Sequence, residues 1–306
     1  MLVVLKKVIA TLILLPLALL LFTASSTQLA FAVYTFETVN NFVYEAEPVI
    51  ESELEPSIET YEPARATPVI ARLSDPATAL EYIELQPFFK FTSPTERAQN
   101  TVPPRYKIAL TFDDGPSRYT SYILDILYQY NSKATFFVLG NRVEDWAETI
   151  YIAAQQGNEV VGHSWNHRNF ANLTNYEIRS QIYNTSAAIA EVLGRPSAPI
   201  FRPPYGVINQ NIRYVARDLG YTVVNWSIDP QDWLHRCADH IYNFIMENAV
   251  HGSIVVLHDT RESTKEAMVR AIPSLIEQGF ELVTVSEILE HLFGELKPGA
   301  LYQGLR

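Results

Sequence analysis

Two adjacent carboxylates, Asp113 and Asp114, follow an apolar run in the stretch LTFDDGP at residues 110–116. The run predicts a buried strand, and neighbouring carboxylates repel each other and resist transfer from water unless each has its own partner. Successive residues at a strand end point in different directions, so one carboxylate can bind a metal ion while the other takes a proton. A polar turn, with one Asp capping the next helix, is the plain alternative.

Two histidines, His163 and His167, stand four positions apart in the stretch GHSWNH at residues 162–167. This spacing brings both imidazoles to one face if the backbone makes a helical turn, and that reach suits one metal ion. Two histidines and one carboxylate are a recognised ligand set for catalytic zinc, and the Asp pair can supply the carboxylate. Such a metal lowers the pKa of water from about 15.7 toward about 7, and a base must take the proton.

The stretch FRPPYG at residues 201–206 places Arg202 at the end of another apolar run. An arginine does not deprotonate in a protein, so its charge could orient a basic Asp and keep it ionised. The two prolines stiffen the loop, and a backbone N–H near Tyr205 could face a developing oxyanion.

Two later stretches complete the set of polar strand ends. DPQDW at residues 229–233 offers two carboxylates and an aromatic plane, and IVVLHD at residues 254–259 leads into His258. An imidazole paired with a carboxylate keeps its proton near neutral pH, as an acid that protonates a leaving amine requires.

All of these stretches follow short apolar runs that alternate with amphipathic segments from Lys107 onward. The candidate strands are 107–112, 134–139, 159–162, 200–202, 222–226, 253–258 and 281–285. The candidate helices are 119–130, 142–156, 174–193, 208–219, 236–249, 262–278 and 286–293. The alternation predicts an α/β fold with a parallel sheet, closed as a barrel or doubly wound, and its functional site at the carboxyl ends of the strands.

The amino terminus has the pattern of a secretory signal peptide over residues 1–32. Lys6 and Lys7 precede an apolar run at 8–22, and Ala30-Phe31-Ala32 predicts cleavage after Ala32. An uncleaved membrane anchor is the alternative, although the run is shorter than the roughly 20 residues of a bilayer span. We therefore expect an exported protein that is secreted, periplasmic or associated with the cell envelope.

Residues 33–104 form a region rich in Glu and Pro in which no apolar period persists. This composition predicts a largely flexible acidic spacer, with a small accessory fold as the alternative. The catalytic domain is expected at residues 105–293, followed by a tail at 294–306 to which the sequence assigns no role.

The composition excludes one class of partner. The formal net charge is -11 and the isoelectric point is near 5.1, without a cluster of Lys or Arg, so no nucleic-acid partner is expected. Cys237 is the only cysteine, so the core rather than a disulfide must hold the domain. The oligomeric state is open, with a monomer favoured, and contact with a membrane is expected only if the amino-terminal segment is not cleaved.

Five stretches, in order, resemble the motifs of the polysaccharide deacetylases of carbohydrate esterase family four. They are TFDD at 111–114, HSWNH at 163–167, RPPY at 202–205, DPQDW at 229–233 and LHD at 257–259. The resemblance covers roughly residues 105–293. It implies a distorted (β/α) barrel with about seven parallel strands, fewer than the full eight-fold type.

The resemblance also implies a role for each matching residue. By this resemblance Asp113 is the base, and Asp114, His163 and His167 are the ligands of a divalent metal. Arg202 tunes the base, and the backbone of Tyr205 contacts the oxyanion. His258 is the acid, Asp232 orients it, and Trp233 and Leu257 pack around the acetyl methyl group. The metal of the family is usually zinc and sometimes cobalt or nickel.

The expected activity is the removal of N-acetyl groups from N-acetylglucosamine residues of a glycan, with release of acetate. Peptidoglycan and chitin-like oligomers both remain open as substrates. An esterase for O-acetyl groups of xylan and a non-catalytic carbohydrate-binding protein of the same fold are the alternatives.

Overall fold

The computed structural model describes residues 106–305. The expected signal peptide at 1–32 and acidic spacer at 33–104 lie outside the described residues. Within residues 106–305, no helix has the length and apolar character needed to cross a membrane.

Eight parallel strands form one curled sheet in the described part of the chain. They are β1 (Tyr106–Asp113), β2 (Thr135–Leu139), β3 (Glu159–Ser164), β4 (Ile200–Phe201), β5 (Thr222–Val224), β6 (Ser253–His258), β7 (Phe280–Leu282) and β8 (Leu301–Tyr302). Their order is β6-β1-β2-β3-β4-β5-β8, and β7 pairs with the amino end of β1. The first seven strands follow the sequence expectation closely.

Seven α-helices connect these strands in the described residues. They are α1 (Thr120–Gln129), α2 (Ala147–Gln155), α3 (Asn175–Leu193), α4 (Gln210–Asp218), α5 (Ala238–Asn248), α6 (Glu262–Glu277) and α7 (Val285–Phe293). Both α3 and α7 begin with a capping box, Thr174 with Glu177 and Thr284 with Glu287, in which each side chain accepts a hydrogen bond from the partner's backbone N–H.

Hydrogen bonds from β6 close the curled sheet into a distorted barrel, which confirms the expected fold class. Val256 donates its N–H to the carbonyl of Ile228 at 3.0 Å, beyond the end of β5. Near the start of β6, Ser253 forms an antiparallel bridge with Gly304. Because β8 also pairs with β5, residues that the sequence left as an unassigned tail take part in this closure.

Strand alternation separates a layer under the helices from the interior of the barrel. In β1, Ile108, Leu110 and Phe112 pack with residues of the helices, whereas Ala109 belongs to a second cluster inside the barrel. Asp113 shares the face of Ala109. The alternation therefore delivers its carboxylate to the inner rim of the barrel.

Substitution of Gly304 tests how tightly the barrel is closed at β6. Its φ is 78°, and a Cβ there would lie 2.7 Å from the carbonyl oxygen of Gly252. Gly304→Ala should therefore lower the free energy of unfolding by more than the roughly 1–2 kcal/mol of a left-handed alanine alone. Gly279→Ala is the matched control, because Gly279 has a φ of 87° and open space around its Cβ position. Denaturant unfolding of both variants measures the difference, and equal losses would contradict a tight closure.

Candidate active site

The polar residues singled out from the sequence meet at the carboxyl ends of the strands. Asp113 ends β1 and His258 ends β6, and the two are direct partners in the register of this parallel pair. Side chains that are paired in this way lie on the same face of the sheet. The candidate base and the candidate acid therefore stand side by side on neighbouring strands.

Asp114, His163 and His167 form a cluster with the geometry of a metal site. The Oδ1 atom of Asp114 lies 3.5 Å from Nε2 of His163 and 3.2 Å from Nε2 of His167. One ligand atom from each residue lies within 4.8 Å of the other two. Asp114 Oδ1 is buried and has no hydrogen-bond partner among the described residues. A divalent cation would satisfy this oxygen, so the residues present fit a metal.

The backbone sets the tautomer of His163. Its Nδ1–H donates to the carbonyl oxygen of Arg202 at 2.7 Å, because a carbonyl can only accept. The Nε2 lone pair is thus left facing Asp114. Burial lowers the pKa of His163, with help from the charges of His167 and Arg202 and against those of Asp113 and Asp114. A neutral imidazole with a free Nε2 is the form that binds a metal.

Unusual backbone angles concentrate in the loops of the site. Five non-glycine residues of the described chain have positive φ, and only Asn131 lies elsewhere; the site loops hold Asp114 (φ 70°), His167 (φ 60°), Tyr205 (φ 62°) and Gln231 (φ 54°). Each such residue costs of order 1–3 kcal/mol and persists only where the surroundings hold it. The site loops are therefore held in conformations that local sequence preference does not favour.

The guanidinium of Arg202 is fully buried and supports Asp113. Its Nη1 donates to Asp113 Oδ1 at 2.6 Å and to Thr111 Oγ1 at 2.7 Å. The carbonyl oxygens of Val224 and Asn225 accept one N–H each from Nε and Nη2, at 3.3 Å and 3.1 Å. These contacts fix the direction of the Asp113 carboxylate.

Asp232 holds His258. Its Oδ1 accepts the Nδ1–H of His258 at 2.8 Å, while its Oδ2 accepts the backbone N–H of His258 at 2.8 Å and the hydroxyl of Thr264 at 2.6 Å. Burial alone would lower the pKa of His258. The hydrogen bond and charge of Asp232, with the charges of Asp113 and Asp114, outweigh burial and raise this pKa to about 9. The imidazole is then protonated at neutral pH, and no hydrogen bond within the described part of the chain occupies its Nε2.

Two aromatic side chains expected at the site are accessible. Tyr205 is 63% exposed and Trp233 is 47% exposed. The Tyr205 ring meets the His167 ring edge-on at 4.7 Å between centroids. Within the described residues, no hydrogen bond occupies the backbone N–H of Tyr205. This amide is therefore free to donate to a ligand.

The polysaccharide deacetylase family profile matches residues 100–224, which include the Asp pair, both histidines, Arg202 and Tyr205. A peptidoglycan-N-acetylglucosamine deacetylase of Bacillus cereus is 36% identical over 209 residues, which cover 66% of this chain and 97% of that protein. This chain belongs to the polysaccharide deacetylase family.

Two further members of the polysaccharide deacetylase family show how far the likeness extends. The peptidoglycan-N-acetylmuramic acid deacetylase PdaC of Bacillus subtilis is 40% identical over 195 residues, or 63% of this chain, and the match spans only 41% of PdaC. The structure of a family 4 acetyl xylan esterase of Clostridium thermocellum, in complex with a cobalt ion, has a TM-score of 0.60 at 31% identity and covers 65% of this chain and 98% of the esterase.

Leu257 is an expected site residue that the structure places elsewhere. It precedes His258 in β6, is fully buried and packs in the cluster under the helices. Its register partner, Phe112, lies in that same cluster. Strand alternation puts Val256 instead on the face of His258, so Val256 is the apolar neighbour of the site. Because side chains of a strand alternate between its faces, counting two residues back from His258 would have identified Val256 from the sequence.

Two hydroxyl groups that support the site were missing from the sequence expectations. Thr111 accepts a hydrogen bond from Arg202 and lies two residues before Asp113, so the same period of two points to it. Thr264 donates to Asp232 from the first turn of α6, across 32 residues of sequence. Nothing in the sequence pattern around Thr264 signals that contact.

Replacement of Asp232 tests the electrostatics of His258. In the metal-free protein, Asp232→Asn should move the pKa of His258 from about 9 to well below that value, because burial is then less opposed. NMR titration of the imidazole measures this pKa, and Asp239→Asn, at an exposed ion pair with Arg270, is the control. An unchanged pKa would contradict the role of Asp232.

The interaction of Asp232 with His258 should make the free energy of unfolding depend on pH. Since the folded pKa of His258 lies above its unfolded value near 6.5, the stabilisation is fully present below about pH 6.5 and is lost as the pH rises through about 9. The difference in unfolding free energy between wild type and Asp232→Asn should shrink across this window. A constant difference would exclude His258 as its source.

Proposed function

We propose that this chain is an exported, metal-dependent hydrolase that removes N-acetyl groups from N-acetylglucosamine residues of a glycan and releases acetate. The observation that carries the proposal is the register of Asp113 and His258 beside a three-residue metal cluster. Such a hydrolysis requires a base and an acid that both reach one scissile amide.

Asp114, His163 and His167 would hold the divalent cation. Two imidazoles and one carboxylate suit zinc best, and cobalt or nickel fit the same set. When bound, such a cation supplies a Lewis acid that polarises the acetyl carbonyl and lowers the pKa of water. The unpartnered Asp114 Oδ1 and the tautomer of His163 support this assignment.

Asp113 acts as the base. Its carboxylate takes a proton from the attacking water while a new C–O bond forms at the acetyl carbon. Arg202 holds Oδ1 of this carboxylate at 2.6 Å and orients it, and the ion pair compensates for burial of the negative charge. The free N–H of Tyr205 donates to the oxyanion that develops on the carbonyl oxygen.

His258 acts as the acid. Its Nε2–H gives a proton to the glycan nitrogen as the C–N bond breaks, which leaves a free amine on the sugar and acetate in solution. Asp232 keeps the imidazolium oriented through Nδ1–H. An N-linked leaving group needs this protonation more than an O-linked one, so the strongly held acid favours an amide substrate.

The names of the more similar relatives favour a cell-wall glycan, whereas relatives named as chitooligosaccharide deacetylases are 31–32% identical to this chain. The Bacillus cereus and Bacillus subtilis relatives are named as peptidoglycan deacetylases. The similar esterase from Clostridium thermocellum keeps the O-acetyl alternative open. Acetate release from peptidoglycan, chitooligosaccharides and acetylxylan separates these substrates, and a chain that releases acetate from none of them would be non-catalytic.

The place of action follows from the sequence outside the described residues. The signal pattern over residues 1–32 supports export, and the acidic region at 33–104 would hold the catalytic domain away from a membrane or wall. Export brings the enzyme to the glycan that we propose as its substrate.

Asp113→Asn tests the base. The amide cannot accept the proton, so acetate release should fall at least about 100-fold. Cobalt binding should remain, because Asp113 does not belong to the metal cluster. Asp125→Asn on α1 is the control, with wild-type activity expected. Full activity of Asp113→Asn would refute the assignment of the base.

Removal of the metal tests the cofactor. Treatment with a chelator should abolish acetate release, and zinc or cobalt should restore it, since both suit the Asp114, His163 and His167 set. His163→Ala should weaken cobalt binding in direct titration. An enzyme that keeps its activity after thorough chelation would refute metal dependence.

A further inference from the structure

A further buried carboxylate, that of Asp259, lies beside the Asp113–Asp114 turn and has no part in the mechanism above. Its residue is fully buried and follows His258 at the end of β6. Its Oδ1 atom has no hydrogen-bond partner among the described residues. Burial raises the pKa of this carboxyl to about 7, even though the hydroxyl of Thr120 lowers it.

Hydrogen bonds tie Asp259 to the segment that follows Asp114. Thr120 donates its hydroxyl to Oδ2 of Asp259 at 2.5 Å, and Ser117 donates its hydroxyl to the Asp259 carbonyl at 2.5 Å. The hydroxyl oxygen of Thr120 also accepts the backbone N–H of Ser117 at 2.8 Å. Thr120 thus links the end of β6 with the turn that leaves β1.

Gly115 presses directly against Asp259. A Cβ on Gly115 would lie 2.3 Å from each carboxylate oxygen of Asp259. Gly115 follows Asp114, whose φ of 70° is unfavourable for a residue with a side chain. The Asp259 carboxylate therefore fills the space behind the turn that carries the candidate metal ligand.

Burial of the Asp259 carboxylate lowers the stability of the folded protein. A buried carboxylate with an unpartnered oxygen loses solvation without full compensation. Thr264 and Asp232, which hold His258, bond to each other or to His258, and no hydrogen bond joins them to Asp259 among the described residues. The contacts of Asp259 go instead to the turn of β1, so they act on the placement of Asp114 relative to the end of β6.

We propose that Asp259 is a positioning residue which, through Thr120 and its contact with Gly115, fixes the metal ligand Asp114 against the end of the strand that carries the acid. The expected effect of Asp259 on turnover rests on the proposed function. Its effect on metal affinity rests on the Asp114, His163 and His167 cluster alone.

Thr120 provides a test that leaves all three metal ligands in place. Thr120→Val removes the hydroxyl but keeps the shape, and Thr120→Ser keeps the hydroxyl. We expect Thr120→Val to weaken cobalt affinity and lower kcat about tenfold at unchanged KM, as for other residues that orient metal ligands. Thr120→Ser should retain both values. Cobalt titration, steady-state kinetics and unfolding of the metal-free protein are measured together. A Thr120→Val variant that loses only stability, or nothing, would overturn the proposal.

The contact between Gly115 and Asp259 gives an independent test. Gly115→Ala should weaken cobalt affinity because its methyl group collides with the carboxylate, and Asp259→Ala should weaken it by removing that carboxylate. The double variant should bind cobalt no worse than Asp259→Ala, because the methyl group then has room. Losses that multiply in the double variant would overturn the role of this contact.

The two proposals fail in different ways. If these variants shift cobalt affinity as expected but the wild-type enzyme releases acetate from no glycan, the proposed function fails and the positioning role in the metal site stands. If the wild type is an active deacetylase and Thr120→Val matches it in cobalt affinity and kcat, the positioning role alone fails.

Discussion

The buried ion pair of Arg202 and Asp113 is the interaction on which the rest of the site depends. A guanidinium without any solvent contact needs acceptors for its N–H groups, and Asp113, Thr111 and two backbone carbonyls accept four of the five. The face of Phe137 covers it at 4.0 Å. Through these contacts Arg202 joins β1, β2 and the β5 end inside the barrel. Loss of one partner would leave a buried charge, at a cost of about 3–5 kcal/mol.

Around this pair, residues at the rim of the barrel hold their functional groups in place at a cost in folding stability. Asp114 combines a left-handed backbone with a buried oxygen, and neither this oxygen nor Oδ1 of Asp259 has a hydrogen-bond partner within residues 106–305. Neither feature would survive in a site selected for stability alone. Tight contacts to the neighbouring strands and loops hold them in place. The core clusters under the helices supply the stabilisation that this rim does not.

The likeness to the family is concentrated in the part of the chain that forms the barrel. The match spans 97% of the Bacillus cereus relative but only 41% of Bacillus subtilis PdaC. The barrel and its strand-end residues are therefore the shared unit, and amide and ester substrates both occur among the proteins it resembles. The loops around the strand ends, rather than the fold, must set the choice of glycan.

The sequence by itself determined the order of seven strands and seven helices, because apolar periodicity is local and each segment shows it. It also placed Asp113, His163 and His258 at one rim, because parallel strands end on the same side of a sheet. Tertiary structure decided the rest. Strand β8 has two residues and, unlike the equally short β4, is not followed by one of the five motif stretches, so only its pairing with β5 defines it. The contacts of Thr120 and Thr264 join segments 139 and 32 residues apart, and no local pattern encodes such partners.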